Sequence, residues 1–87
     1  MVLLCWAPGY ASVPHRHPAA EEIFQIVRGR ALFRIGAEPE REAGPGELLL
    51  AMRGSRHAIR VIGDEPLLML AAVAPNEARP DETIEPA

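Results

Sequence analysis

The chain has 87 residues, which is enough for one small domain with a thin hydrophobic core. Hydrophobic residues make up 48% of it, so a globular rather than a disordered protein is expected. The net charge is only −3 and charges of both signs are interspersed, which argues against a basic face for nucleic acid or an anionic membrane. All basic residues are arginine, and this excludes Schiff-base chemistry on a lysine amine.

The chain begins with an apolar segment, residues 2–7, that stops at Pro8-Gly9. The segment has no basic flank of the kind found in signal peptides and is too short to span a bilayer, so we interpret it as a buried strand. Cys5 is the single cysteine, which excludes an internal disulfide. These features favour a cytoplasmic protein.

Turn-forming residues recur every eight to twelve positions, a spacing typical of an all-β sandwich or barrel. The predicted strands are residues 2–7, 11–17, 22–28, 30–35, 47–52, 57–62 and 66–74. The last of them has good helix formers, but it is short and apolar all round, which favours a strand buried on both faces. The sequence therefore predicts one all-β domain over residues 1–75, followed by an extended or disordered tail over residues 76–87.

The three histidines fall in two places, at His15 and His17 and then at His57. Two histidines separated by one residue on a strand point to the same face, while Arg16 between them points away. A carboxylate from the next strand, either Glu21 or Glu22, and the distant His57 would complete a set of nitrogen and oxygen ligands. Such ligands suit Fe, Mn, Ni, Co, Cu or Zn rather than Ca or Mg.

Two segments of the chain resemble the two sequence motifs of the cupin family. The first motif is matched at every defined position by Gly9-x5-His15-x-His17-x4-Glu22-x6-Gly29. The second is partly matched by Gly46-x5-Met52-x-Gly54-x2-His57-x3-Val61, in which methionine and valine replace the family's proline and asparagine. The resemblance covers residues 9–61 and implies a cupin double-stranded β-helix, or jelly-roll barrel. It also implies that His15, His17, Glu22 and His57 bind one divalent transition metal.

Glu21 is the alternative to Glu22 as the carboxylate ligand. Glu22 has the spacing to Gly29 that the motif requires. It also shares strand parity with Phe24 and Ile26, which we expect to face the barrel interior. Glu21 would then be a solvated residue, or a partner that orients a ligand histidine.

Other residues have more ordinary interpretations. Several arginines alternate out of phase with the apolar residues and predict a solvated or interface face: Arg28, Arg30, Arg34 and Arg60. Arg53 and Arg56 lie near His57 and are better candidates for contact with an anionic ligand. Tyr10 could act as an acid or base, but packing is favoured. Core or pocket lining is expected of six residues: Cys5, Trp6, Phe24, Phe33, Met52 and Met69.

The resemblance implies several activities, because the fold hosts many kinds of chemistry. Our first hypothesis is an Fe- or Mn-dependent enzyme of dioxygenase type that acts on a small organic substrate. The second is a non-catalytic module that uses its metal to bind a small ligand or to stabilise a dimer, and the third is a metal-free structural cupin. Small cupins usually carry further strands before the equivalent of Val2. Either the protein begins upstream of Met1, or a neighbouring subunit covers the sheet edge that those strands would cover. A homodimer is therefore expected.

Overall fold

The structure is a computed structural model that describes residues 1–74 and the backbone of residues 85 and 86. All regular structure in this part of the chain is β-strand. The strands are β1 (Val2–Trp6), β2 (His15–Arg16), β3 (Glu21–Arg28), β4 (Arg30–Ile35), β5 (Arg41–Ala43), β6 (Leu48–Ala51), β7 (His57–Ile62), β8 (Leu67–Ala74) and β9 (Glu85–Pro86). No helix in this part is long and apolar enough to cross a bilayer.

The strands form two antiparallel sheets that pack against each other. One sheet has the order β1-β8-β3-β6 and the other has the order β5-β4-β7-β2-β9. Their inner faces meet in one core, to which β3 contributes Phe24 and Ile26 and the second sheet contributes Phe33 and Val61. The predicted all-β cupin jelly roll is confirmed.

The predicted strand at 66–74 is observed as β8, although its burial differs from the prediction. Leu67, Met69 and Ala71 are buried, but Leu68 and Leu70 between them are only partly buried. The second sheet covers one side of β8 only. The strand is therefore fully buried on one face rather than on both.

The prediction that β1 is buried was wrong. β1 pairs with β8 and lies at the edge of its sheet, where Val2 and Leu3 remain 54% and 60% exposed. Cys5 and Met52 are also exposed, so their assignment to the core was wrong. The same assignment is confirmed for three buried residues and for one packed against the core: Phe24, Phe33, Met69 and Trp6.

Two further strands, β2 and β5, differ from the prediction. The predicted strand 11–17 is reduced to His15–Arg16 and an isolated bridge from Ala11 to Arg60, since Pro14 has no N–H group to donate to a ladder. Strand β5 was not predicted. In the predicted tail, β9 pairs with β2, whereas residues 75–84 and 87 lie outside the described residues. The end of the domain and the disorder of the tail therefore stay predictions.

Candidate metal centre

Four side chains, three from strands and one from the loop that follows β2, meet between the two sheets. His15 and His57 are direct partners in the antiparallel pair of β2 and β7. His17 follows β2 by one residue, and Glu22 comes from β3 of the opposite sheet. One ligand atom of each of these residues lies within 4.8 Å of those of the other three. The residues that the sequence analysis selected are thus neighbours in space, although 42 positions separate the first from the last.

Strand alternation directs these side chains inward. His57 begins β7 and shares its buried face with Ile59 and Val61. Glu22 shares the inner face of β3 with Phe24, whereas the adjacent Glu21 has the opposite parity and belongs to the outer face. The geometry therefore separates the two candidate carboxylates and brings only Glu22 into the cluster.

The Glu22 carboxylate lies at the centre of the cluster. Its Oε1 atom is 3.1 Å from Nε2 of His17 and 3.1 Å from Nε2 of His57. The His17 and His57 side chains are buried, and their rings are nearly parallel, with an angle of 17° between the planes. The His15 ring lies against His57 with 4.3 Å between ring centroids.

Two of the imidazoles contact backbone carbonyl groups through their Nδ1 atoms. Nδ1 of His15 lies 2.8 Å from the carbonyl oxygen of Val13, and Nδ1 of His57 makes a longer contact of 3.4 Å to that of Ser55. A carbonyl oxygen only accepts hydrogen bonds, so Nδ1 carries the proton and donates it. The Nε2 lone pair of His15 is then available to the cluster, as a metal ligand requires.

The loop before β2 is fixed to β7 by a reciprocal pair of hydrogen bonds. The N–H group of Ser12 donates to the carbonyl oxygen of Ile59 at 2.9 Å, and the N–H group of Ile59 donates to Oγ of Ser12 at 2.9 Å. These bonds fix the chain three residues before His15. Sequence reasoning missed Ser12, and it also missed the carbonyl groups of Val13 and Ser55, because no side-chain pattern reveals a backbone acceptor.

The donor set fits a divalent cation. The unprotonated nitrogen of a neutral imidazole carries a lone pair. A contact between that nitrogen and a carboxylate oxygen is repulsive unless a proton or a metal ion lies between the two atoms. The Glu22 oxygen makes two such contacts at 3.1 Å.

Burial raises the pKa of the Glu22 carboxyl. The hydrogen bond with His57 and the charges of His17, His57 and His15 outweigh it, so the pKa falls below the ordinary 4.5.

One side of the cluster is apolar. The Phe24 ring lies 5.6 Å from the His57 ring and 5.8 Å from the Phe33 ring, measured between centroids. Ile35 is the β4 partner of His57. An apolar wall excludes water and strengthens electrostatic interactions at the site.

The other candidate residues lie outside the cluster. Arg28 and Arg60 contact Glu65 and Glu40 at 3.4 and 3.9 Å, and Arg30 pairs with Glu42. A cavity of about 360 Å³ beside His57 is lined by Pro14, Arg34, Gly36, Arg56, His57 and Ala58. Exposed Tyr10 packs on Trp6 with 4.8 Å between ring centroids, which favours the packing interpretation.

Comparison with known proteins places the chain in a family. The model of the cupin domain family matches residues 2–73. This chain is a cupin. The protein TcmJ of the tetracenomycin polyketide synthase from Streptomyces glaucescens is 29% identical over 75 residues, which are 86% of this cupin and 50% of TcmJ. The dimethylsulfoniopropionate lyase DddQ from Ruegeria pomeroyi is 41% identical over 56 residues, 64% of this cupin and 27% of DddQ.

Solved structures share the fold of this cupin. A protein from Klebsiella pneumoniae with a double-stranded β-helix domain superposes with a TM-score of 0.85 at 23% identity, covering 99% of this chain and 67% of that one. The crystal structure of DddQ gives a TM-score of 0.77 at 29% identity, over 94% of this chain and 39% of DddQ. This cupin spans half or less of the length of TcmJ and DddQ.

Proposed function

We propose that this cupin binds one divalent transition metal through His15, His17, Glu22 and His57. The observation that carries the proposal is the position of one partly buried carboxylate oxygen, 3.1 Å from two imidazole nitrogens, with a third imidazole in the same group. Three neutral imidazoles and one carboxylate suit Fe, Mn, Ni, Cu or Zn. The ionised Glu22 supplies the single negative charge among these ligands.

We further propose that the centre belongs to a metal-dependent enzyme of dioxygenase type that acts on a small organic substrate. A bound Fe or Mn ion would supply a Lewis acid and a template for the reactants. The protein contributes the orientation of His15 and His57 through the carbonyl groups behind them. Phe24, which lies beside the His57 ring and is backed by Phe33, forms an apolar wall that would exclude water and favour the apolar part of a substrate.

The surroundings of the cluster support oxidation over chemistry driven by proton transfer. Within residues 1–74, the cluster holds no histidine, cysteine or carboxylate beyond the four proposed ligands. Glu21 belongs to the outer face of β3, and Tyr10 is exposed and packed on Trp6. Reactions that rely on a positioned acid or base need a further ionisable group within hydrogen-bond reach of the substrate.

The alternative is a lyase reaction, in which a substrate is cleaved without oxygen. The similarity to DddQ, a lyase by name, is the specific observation in its favour. DddQ is also the source of a candidate substrate class, small sulfonium carboxylates such as dimethylsulfoniopropionate. The two reactions differ in whether dioxygen is consumed, which makes them separable in one assay.

The test is turnover by the metal-loaded protein with small organic acids and dimethylsulfoniopropionate, followed by an oxygen electrode and by mass spectrometry of products. We expect substrate-dependent oxygen uptake that is lost in His57→Ala and retained in Tyr10→Phe. Product formed without oxygen uptake would establish the lyase instead. Ligand binding without turnover of any substrate would contradict both enzymes and leave a non-catalytic metal-binding module.

A further inference from the structure

Two arginines line the cavity of about 360 Å³ beside His57 without a partner of opposite charge. Within residues 1–74, neither Arg34 nor Arg56 forms an ion pair, and the cavity lining contains no carboxylate. Other arginines of the same part of the chain do pair with glutamates, namely Arg28, Arg30, Arg41 and Arg60. The cavity therefore presents two positive charges that its own walls do not neutralise.

The register of the second sheet places both arginines on one face. Arg34 is the β4 partner of Ala58, whose parity is opposite to that of the buried His57. The N–H group of Gly36 donates to the carbonyl oxygen of Arg56 at 2.7 Å, which continues the same register by one position. Arg34 and Arg56 are therefore diagonal neighbours across the two chains. The Cα atoms of such a pair lie roughly 7–8 Å apart, within reach of long side chains.

The rest of the cavity wall is uncharged and partly apolar. Pro14 and Ala58 both line it, and the pairing of β2 with β7 places them opposite each other. Gly36 leaves the cavity open, because a Cβ atom built there would meet no atom within 4 Å. The volume falls in the range of small-molecule sites, which is about 300–1,000 Å³. Two cations beside an apolar wall fit a short hydrocarbon chain that carries an acidic group at each end.

We propose that this cavity binds a small organic dicarboxylate, with one carboxylate at Arg34 and the other at Arg56. A guanidinium group is a planar fork of N–H donors, which matches the two oxygens of a carboxylate in a pair of parallel hydrogen bonds. The two negative charges of the ligand balance the two arginines. Both arginines are exposed, so a ligand from solution reaches them directly.

The dicarboxylate site is separate from the proposed metal centre, although His57 borders both. The His57 imidazole contacts Glu22 on the inner side of β7, whereas Arg34 and Arg56 have the outward parity. The ligand is held by cations of the protein and needs no metal ion. The dicarboxylate site can therefore exist whether or not the four-residue cluster binds a metal.

An NMR titration of the isotope-labelled full chain with succinate tests the proposal. We expect saturable shifts of the amide signals of Arg34, Gly36, Arg56 and Ala58, with a dissociation constant on the order of 1 mM. Succinamide has the same carbon chain without the charges, and it should not bind. Inorganic phosphate should bind more weakly than succinate, because it has no hydrocarbon part for the wall formed by Pro14 and Ala58.

Three substitutions with the same change of charge locate the site. Arg34→Gln and Arg56→Gln should each raise the dissociation constant for succinate about tenfold. The matched control is Arg53→Gln, because Arg53 is also exposed and also without an ion pair within residues 1–74, but it does not line the cavity. Arg53→Gln should retain the parent affinity. Circular dichroism melting shows that each variant is folded.

Four results would overturn the proposal. The first is no saturable binding of succinate, and the second is an equal loss of affinity in all three variants, which would indicate attraction by net charge alone. The third is phosphate binding as tight as that of succinate, which would leave a patch for any small anion. The fourth is loss of succinate binding after treatment with a chelating resin, because the ligand would then be bound to a metal ion. Unchanged binding after that treatment supports the site even if the metal centre fails its own test.

Discussion

At the scale of single residues, the choice between Glu21 and Glu22 shows what alternation can decide. Adjacent residues of a strand face opposite sides, so one carboxylate of the pair must face inward if the strand is half-buried. The motif spacing to Gly29, together with the parity of Phe24, favoured Glu22 from the sequence. The hydrogen bonds that orient the histidines were not predictable, because their acceptors are backbone carbonyls of Val13 and Ser55 in loops.

The two glutamates provide a matched pair of variants. Glu22→Gln keeps the size of the side chain and removes the charge that the proposed metal needs. We expect metal affinity to fall by more than the roughly 10–100-fold that loss of a supporting partner costs. Glu21→Gln should leave the affinity unchanged. Competition titration with a chromophoric chelator measures both, and equal losses in the two variants would contradict the assignment of the ligand.

Ser12 is predicted to stabilise the loop that carries His15. Ser12→Ala leaves the N–H group of Ile59, a residue with 2% exposure, without its acceptor. A buried unsatisfied donor costs about 1–3 kcal/mol, so urea denaturation should show a loss of that size. Ser55→Ala is the control, because its hydroxyl bond to Met52 is exposed and should be worth about 0.5 kcal/mol or less. Equal losses would show that Ser12 has no special role.

At the scale of strands, the recurrence of turns and the short apolar runs predicted most of the sheet. Strand β5 was missed because Arg41 and Glu42 give it no apolar alternation, and its pairing with β4 is decided by tertiary structure. The strand predicted over 11–17 was longer than the observed β2. Its composition is compatible with a strand, but Pro14 interrupts the ladder, and only the end that pairs with β7 is retained.

The turn between β3 and β4 carries the chain from one sheet to the other, and Gly29 is required there. Its φ angle is +89°, and a Cβ atom on it would lie 2.4 Å from the carbonyl oxygen of Pro66. Gly29→Ala should therefore lower the free energy of unfolding by more than a positive φ alone would, which costs about 1–3 kcal/mol. Gly63→Ala, at φ +81° with open space around it, is the matched control. Thermal unfolding of both variants measures the difference, and equal costs would show that the close approach relaxes freely.

At the scale of the whole molecule, exposure was the property that the sequence predicted least well. The apolar run of β1 has the composition of a buried strand, yet it lies at an edge, where Val2 and Leu3 remain exposed. Burial depends on what covers each side of a sheet, and a single sequence does not encode this locally.

The proposed metal should stabilise the whole domain, because it joins side chains from both sheets. A ligand at 100 times its dissociation constant adds about 2.7 kcal/mol. Each kcal/mol raises Tm by roughly 4–8 °C in a domain of this size. We expect a shift of that order in the parent on addition of Mn, Fe, Ni or Zn. The His57→Ala variant should show none, and an equal shift in that variant would mean that the metal binds elsewhere.

The measurement that tests the metal centre most directly is elemental analysis of the untagged protein, purified beside the His57→Ala variant and reconstituted under the same conditions. We predict about one equivalent of Fe, Mn, Ni, Cu or Zn in the parent and little in the variant. A parent without metal even after reconstitution would contradict the account. The cluster of His15, His17, Glu22 and His57 would then be a hydrogen-bonded part of the barrel.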